Sequence, residues 1–247
     1  IPSAMKLQHS LVLLAAMAAP FVSSAASATL APNIVVDGLL LGEPNITGVT
    51  TTMGTGAGDL NNLINQSNFN PQYTSLSTDF DSFLNSATTN ANPGTNGWRS
   101  SAPDKTGFLS FTLDKPYFIT GIGLWLANAA ASNIDNQVQE FSVFADSDAN
   151  PLNGAGTLMG TFTAQQLSTG NPFVGQAWGL PSDNWTAKTT QFIQLRIDSN
   201  YGGDTTSLGE VAFATDVVPE PMTLLGASAA AGLGAFFKRR QQKSTKS

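Results

Sequence analysis

The stretch Gly107-Phe-Leu-Ser-Phe-Thr-Leu-Asp-Lys-Pro-Tyr-Phe-Ile-Thr-Gly-Ile-Gly-Leu-Trp-Leu126 decides the fold class. Leu109, Phe111 and Leu113 alternate with Phe108, Ser110 and Thr112, the period-two pattern of a half-buried strand. Asp114-Lys-Pro116 then reads as a turn, and Phe118 to Leu126 as a second, mostly apolar strand. Gly121 and Gly123 inside that run point to a bulge or to close approach of another layer.

Further strands are predicted at Glu140–Ala145, Thr157–Phe162, Gln191–Ile197 and Leu208–Phe213. In the third of these Ile193, Leu195 and Ile197 face one way, and Phe192, Gln194 and Arg196 the other. The connections are rich in Asn, Asp, Gly and Ser, and no long stretch keeps a helical period. The expected fold is all-β, an antiparallel sandwich.

Composition narrows the chemistry. The chain has 247 residues, 41% hydrophobic and 11% charged, enough for one large β domain plus processing segments. Between Thr29 and Val218 sixteen acidic side chains face five basic ones, a net charge of −11. Such a surface repels phosphate backbones, so nucleic acid is not an expected partner. There is no cysteine, and the one histidine, His9, lies in a segment expected to be cleaved. That excludes disulfides, thiolate sites and, in the mature domain, an imidazole general base. No catalytic residue is assigned.

The ends carry addresses. Met5-Lys6, the apolar run Leu11–Ala19 and Ala26-Ser-Ala28 form a signal peptide over residues 1–28, with Met5 as its start and the Sec translocon as its partner. The exported domain spans 29–216. In the tail, 217–247, Pro219-Glu220-Pro221 precedes the apolar segment 222–237, which Lys238, Arg239 and Arg240 terminate. Its sixteen residues would reach about 24 Å as a helix, close to a bilayer core. The basic cluster is expected to stay cytoplasmic, with the acidic domain outside.

This tail resembles the PEP-CTERM sorting signal of Gram-negative bacteria over Val218 to about Lys243. The resemblance implies processing near Pro219, Glu220 and Pro221 by the membrane protease-transferase exosortase, and delivery to the cell surface or extracellular matrix. A plain tail anchor is the alternative.

The middle of the chain carries a second resemblance, on Gly97-Trp-Arg-Ser100, Gly107–Leu113, Ile119–Ile122, Phe141–Ser147, Gln191–Arg196 and Leu208-Gly-Glu-Val211. Taken in order over roughly Leu60 to Ala214, these look like a discoidin, or coagulation-factor type C, domain. The resemblance implies a galactose-binding-like jelly roll of eight strands whose loops at one end take ligands. The family's usual disulfide is missing, and Thr74 to Pro93 reads as an insertion. Trp98 occupies the family's core tryptophan position.

For a carbohydrate ligand, stacking aromatics and hydrogen-bonding partners are needed. Trp125, Trp178, Trp185 and Tyr201 are the aromatic candidates, with Arg196, Arg99 and nearby asparagines as polar partners. The bland alternatives are core packing for the tryptophans and a surface cation for Arg196. Calcium is the one cofactor suggested, through Glu210 and through Asp79-Phe-Asp81. The loop Asp146-Ser-Asp148-Ala-Asn150 fails as an EF-hand, because Pro151 stands where glycine is required.

The expected function is therefore a non-catalytic surface module, bound to extracellular polysaccharide. A secreted glycan hydrolase or lyase and a protein-binding adhesin are the alternatives.

Overall fold

The computed structural model describes residues 35–67, 69–89, 92, 94–127, 134–148, 150, 156–167, 173–181 and 189–216. The signal peptide, the Pro-Glu-Pro motif, the segment 222–237 and the basic end all lie outside the described residues. Among the described residues no helix is long and apolar enough to cross a membrane.

The elements in chain order are β1 (Leu39–Leu41), β2 (Ile46–Thr51), β3 (Ala57–Gly58), β4 (Phe69–Asn70), α1 (Phe80–Ser86), β5 (Thr88–Thr89), β6 (Trp98–Arg99) and β7 (Gly107–Trp125). There follow β8 (Glu140–Asp146), β9 (Thr157–Thr163), β10 (Phe173–Val174), β11 (Gln176–Gly179), β12 (Thr189–Ile197), β13 (Ser207–Leu208) and β14 (Glu210–Thr215). Strands form at each predicted position, but the one expected over Leu208–Phe213 breaks at Gly209 into β13, which pairs with β6, and β14, which pairs with β7; every pairing between named strands is antiparallel.

The turn expected at Asp114–Pro116 is not a turn. Strand β7 runs through it for 19 residues. Its first half pairs with β2 and β12, and its second half with β14 and β11. At the crossing, β12 opposes Tyr117 with Thr190 and Thr112 with Phe192, so residues 113–116 of β7 bulge past a single partner residue. Residues 114–116 are exposed there, and the N–H that Pro116 lacks has no ladder position to fill. Asn45 pins the bend: its carbonyl accepts from the Asp114 N–H (2.9 Å), and its amide donates to Asp114 Oδ2 (3.1 Å) and Tyr117 Oη (2.9 Å).

One long strand thus belongs to two sheets, ordered β1-β14-β7-β11 and β2-β7-β12-β8-β9. Their inner faces form the main core. Phe111 meets Phe213 edge-on at 5.3 Å, and Phe141 meets Trp178 at 4.9 Å. Trp98 is fully buried in the same core, as its family position implied, with its Nε1–H donated to Thr55 Oγ1 (3.2 Å).

The outer face of the first sheet is also covered. The insertion expected at 74–93 supplies α1, whose start is capped by Asp79 accepting from the Ser82 N–H (2.8 Å). Phe80, Phe83 and Leu84 lie at i, i+3 and i+4 and turn one apolar stripe inward. They join Phe69, Tyr73 and Trp125 in a second apolar cluster over Ala177, Ala212 and Ala214. Small residues make this approach possible: a Cβ on Gly123 would sit 3.0 Å from Phe80 Cζ, and one on Gly121 2.3 Å from Val36 Cγ1. The glycines of β7 therefore mark close layer packing.

Trp125 is the centre of this second layer, edge-on to Phe69 at 4.7 Å and near Phe83 at 6.0 Å. Trp125→Ala should lower unfolding free energy by about 3–5 kcal/mol, as removal of a large buried aromatic does. Urea unfolding followed by the remaining tryptophans measures it; a change below about 1 kcal/mol would show that the layer is not packed on Trp125.

Candidate functional site

The aromatic candidates do not converge on a surface. Trp125 is 0% exposed and Trp178 9%, the latter wedged between Phe141 and Phe162 in the main core. Both are corrected from ligand contacts to core residues: each lies on a strand face that another layer covers. Tyr201 is half-buried with its hydroxyl held from two sides, donating to the Ala164 carbonyl (2.5 Å) and accepting from the Gln166 N–H (2.9 Å). Trp185 lies outside the described residues.

Arg196 is likewise engaged. It sits on the outer face of β12 over the Phe144 ring at 5.2 Å, with Nε donating to Asp198 (2.5 Å) and Nη2 to Ser142 (3.3 Å). A guanidinium held on both edges and one face is a structural cation, the role its bland alternative assigned.

The three carboxylates proposed for calcium do not act together. Asp79 is spent as the cap of α1, and its bonds from Ser82 hold its pKa below the usual value. Asp81 is in the first turn of α1, with one buried oxygen that has no partner. Among the described residues no three acidic, histidine or cysteine side chains gather to hold a metal ion.

Glu210 remains the anomaly. It opens β14 on the face of Ala212 and Ala214, opposite Trp125 in register, and is 1% exposed. Neither carboxyl oxygen has a well-formed hydrogen bond among the described residues, the Gln66 backbone being the one donor near enough to favour the charged form. Burial pushes its pKa well above the carboxylate range; the Gln66 backbone works against that rise and the charge of Glu43 adds to it. Tyr73 feels the same surroundings: burial and then the charges of Glu210 and Glu43 raise its pKa.

A recess of about 670 Å³ opens here, lined by Glu43, Pro44, Ile46, Thr47, Asn65, Gln66, Gln72 and Tyr73. Its lining carries one carboxyl group, Glu43, among amide and hydroxyl oxygens, and Glu210 is not part of it.

A different cleft gathers the free polar groups. It encloses about 480 Å³ and is lined by Arg99 and Ser100 with Gly56 and Ala102 on one side, and by Asp135, Asn136 and residues 202–205 on the other. Strand β6 is the middle of a three-stranded ribbon, β13-β6-β3. Its alternation sends Trp98 into the core and leaves Arg99 half-buried at the cleft. The opposite wall is shaped by Asn200, whose amide donates to the carbonyls of Gly203 (3.1 Å) and Thr205 (2.8 Å) and accepts from the Gly202 N–H (3.0 Å). Gly202 has φ +105°, open to glycine and strained for other residues.

Each acid in the cleft has a partner. Asp204 is 3.5 Å from Lys105 Nζ, and Asp135 Oδ1 accepts from the Gln166 amide (3.3 Å). The Arg99 backbone is paired within its ribbon, its carbonyl accepting from the Gly56 N–H (2.9 Å), but its guanidinium has no hydrogen bond or ion pair among the described residues. Sequence patterns had named Arg99 only as a polar partner and had missed Asp135 and the Gly202–Thr205 wall; the turn-forming run Asn200-Tyr-Gly-Gly-Asp204 was the available signal.

No family model matches the chain, and no curated protein matches it. Similar solved structures include the CBM32-1 and CBM32-2 domains of ZmpB from Clostridium perfringens, 11% identical with a TM-score of 0.48, covering 72% of this chain and 37% of that one. The family 32 CBM of C. perfringens NanJ in complex with galactose is 12% identical at TM-score 0.44, covering 72% of this chain and 98% of that one. The CBM32 of AlyQ in complex with 4,5-unsaturated mannuronic acid is 16% identical at TM-score 0.43, covering 68% and 95%. These are likenesses of outline, and none assigns a ligand to this chain.

Glu210 gives a pH signature in chelator-treated protein. Its folded pKa is raised above the usual 4.5, so the folded state binds the proton more tightly than the unfolded one. Its contribution is therefore favourable at low pH and is lost as pH rises through the folded value. Glu210→Gln should remove that decline and stabilise the chain at about pH 8 relative to wild type, with little change near pH 4. Urea midpoints at both pH values check it; parallel pH profiles would show that Glu210 is already paired.

Proposed function

We propose that this chain is an exported, non-catalytic module that holds extracellular polysaccharide in the Arg99 cleft. The observation that carries the proposal is an unengaged guanidinium in a recessed polar cleft, facing Asp135, Asn136 and Asp204. Glycan hydroxyls both donate and accept, so a cleft that offers the Arg99 guanidinium as donor and the carboxylates of Asp135 and Asp204 as acceptors suits them. The signal peptide and the Pro-Glu-Pro tail supply the address, and the acidic surface argues against nucleic acid. Calcium at Glu210 would have a supporting role.

The full chain in mild detergent, screened on a glycan array with calcium and with chelator, tests this. Arg99→Ala should weaken binding about tenfold or more without shifting the melting temperature, and calcium should raise that temperature. Absence of binding by a folded chain under both conditions would overturn the proposal.

The sorting address is tested separately. Replacing Pro219, Glu220 and Pro221 together by alanine should leave an unprocessed precursor in the membrane fraction of a host that carries exosortase. Unchanged processing on an immunoblot would favour the plain tail anchor.

A further inference from the structure

The cleft around Arg99 is balanced in charge within a domain that is strongly acidic, and we infer that its ligand is an uncharged glycan, selected against uronate- or sulfate-bearing ones. The inference rests on the cleft being the binding site.

The basic side chains of the described residues divide sharply. Lys105 is paired with Asp204 at 3.5 Å, Arg196 is held by Asp198 and stacked on Phe144, and Lys115 lies over the Tyr117 ring at 5.5 Å. Arg99 alone among these has no partner, and it is the one that lines a cleft.

A free guanidinium by itself would suit a carboxylate or sulfate. Its surroundings do not. Asp135 and Asp204 share the cleft, and Lys105 answers only Asp204. Arg99 is left to balance Asp135, so an anion reaching the guanidinium would meet an acid across the cleft.

The long-range field acts in the same direction. With a net charge of −11 between Thr29 and Val218, the domain repels a polyanion over a Debye length, about 8–10 Å near physiological ionic strength and longer in dilute salt. A neutral chain pays no such penalty. One of its hydroxyls can accept from Arg99 while a neighbour donates to Asp135, which uses both groups; a carboxylate can only accept and leaves Asp135 unused.

Among the described residues the lining carries no aromatic ring, so the inferred specificity comes from hydrogen bonds. Lysine in place of Arg99 would keep the charge and lose the planar fork.

Affinity electrophoresis of the full chain in mild detergent separates the outcomes. The gels contain neutral polymers (dextran, galactomannan, hydroxyethyl cellulose) or acidic ones (alginate, polygalacturonate, dextran sulfate), at low and at physiological salt. At least one neutral polymer should retard the chain at both salt concentrations, and no acidic polymer at either. Arg99→Ala and Asp135→Ala should each weaken retardation about tenfold or more, and Arg99→Lys should restore only part of it. Unchanged melting temperatures verify that the variants fold.

Stronger retardation by an acidic polymer, lost in Arg99→Ala, would overturn the inference and leave the proposed function standing. Neutral binding that survives both alanine variants would overturn the placement of the site. A folded chain that no polymer retards would overturn the inference and the proposed function together.

Discussion

The two sheets are held in register by one continuous strand that passes between them at residues 113–116. A strand that changes sheet must break its ladder somewhere, and this one does so where Pro116 has no N–H to lose. Asn45 closes the gap with three hydrogen bonds to the bend. The pairing of β2, β12, β14 and β11 all refers to this strand, so the inward phase of each follows from the alternation within β7.

The second half of β7 is buried on both faces, and the rest of the architecture follows from that. Ile122 and Leu124 enter the main core, while Gly121, Gly123 and Trp125 accept the layer built from α1 and its flanks. The tryptophan needs glycines and alanines as neighbours because no larger floor would leave room for Phe80 and Phe83. Burial on this scale also explains Glu210. A carboxyl at the end of a covered strand has lost water and gained little hydrogen bonding in return, a costly arrangement unless a proton or a cation compensates it.

The Arg99 cleft is the by-product of a short ribbon. With Trp98 committed to the core, the next residue must face outward, and the loops after residues 134 and 200 form the wall it faces. Recognition there depends on backbone turns and three charged side chains brought from sequence positions far apart. The core tryptophans are kept from it by their own packing.

Alternation and turn composition determined most strand positions and the sandwich class, because side-chain period and hydrophobicity act locally; the core place of Trp98 was implied by the resemblance to discoidin domains. The same alternation placed Trp125 opposite Leu124 and Leu126. Local pattern cannot say whether the opposite face meets water or a helix; only α1, arriving from residues 80–86, made it interior. Arg196 and Arg99 look alike as sequence, each next to a strand of apolar residues. Tertiary structure gave Arg196 the partners Asp198, Ser142 and Phe144, and left the Arg99 guanidinium in the cleft with none among the described residues. The signal peptide and sorting tail expected at the two ends are readings of the sequence alone and lie outside the described residues. The candidate site is not, because its walls come from segments about a hundred residues apart that meet only when β6 pairs with β13.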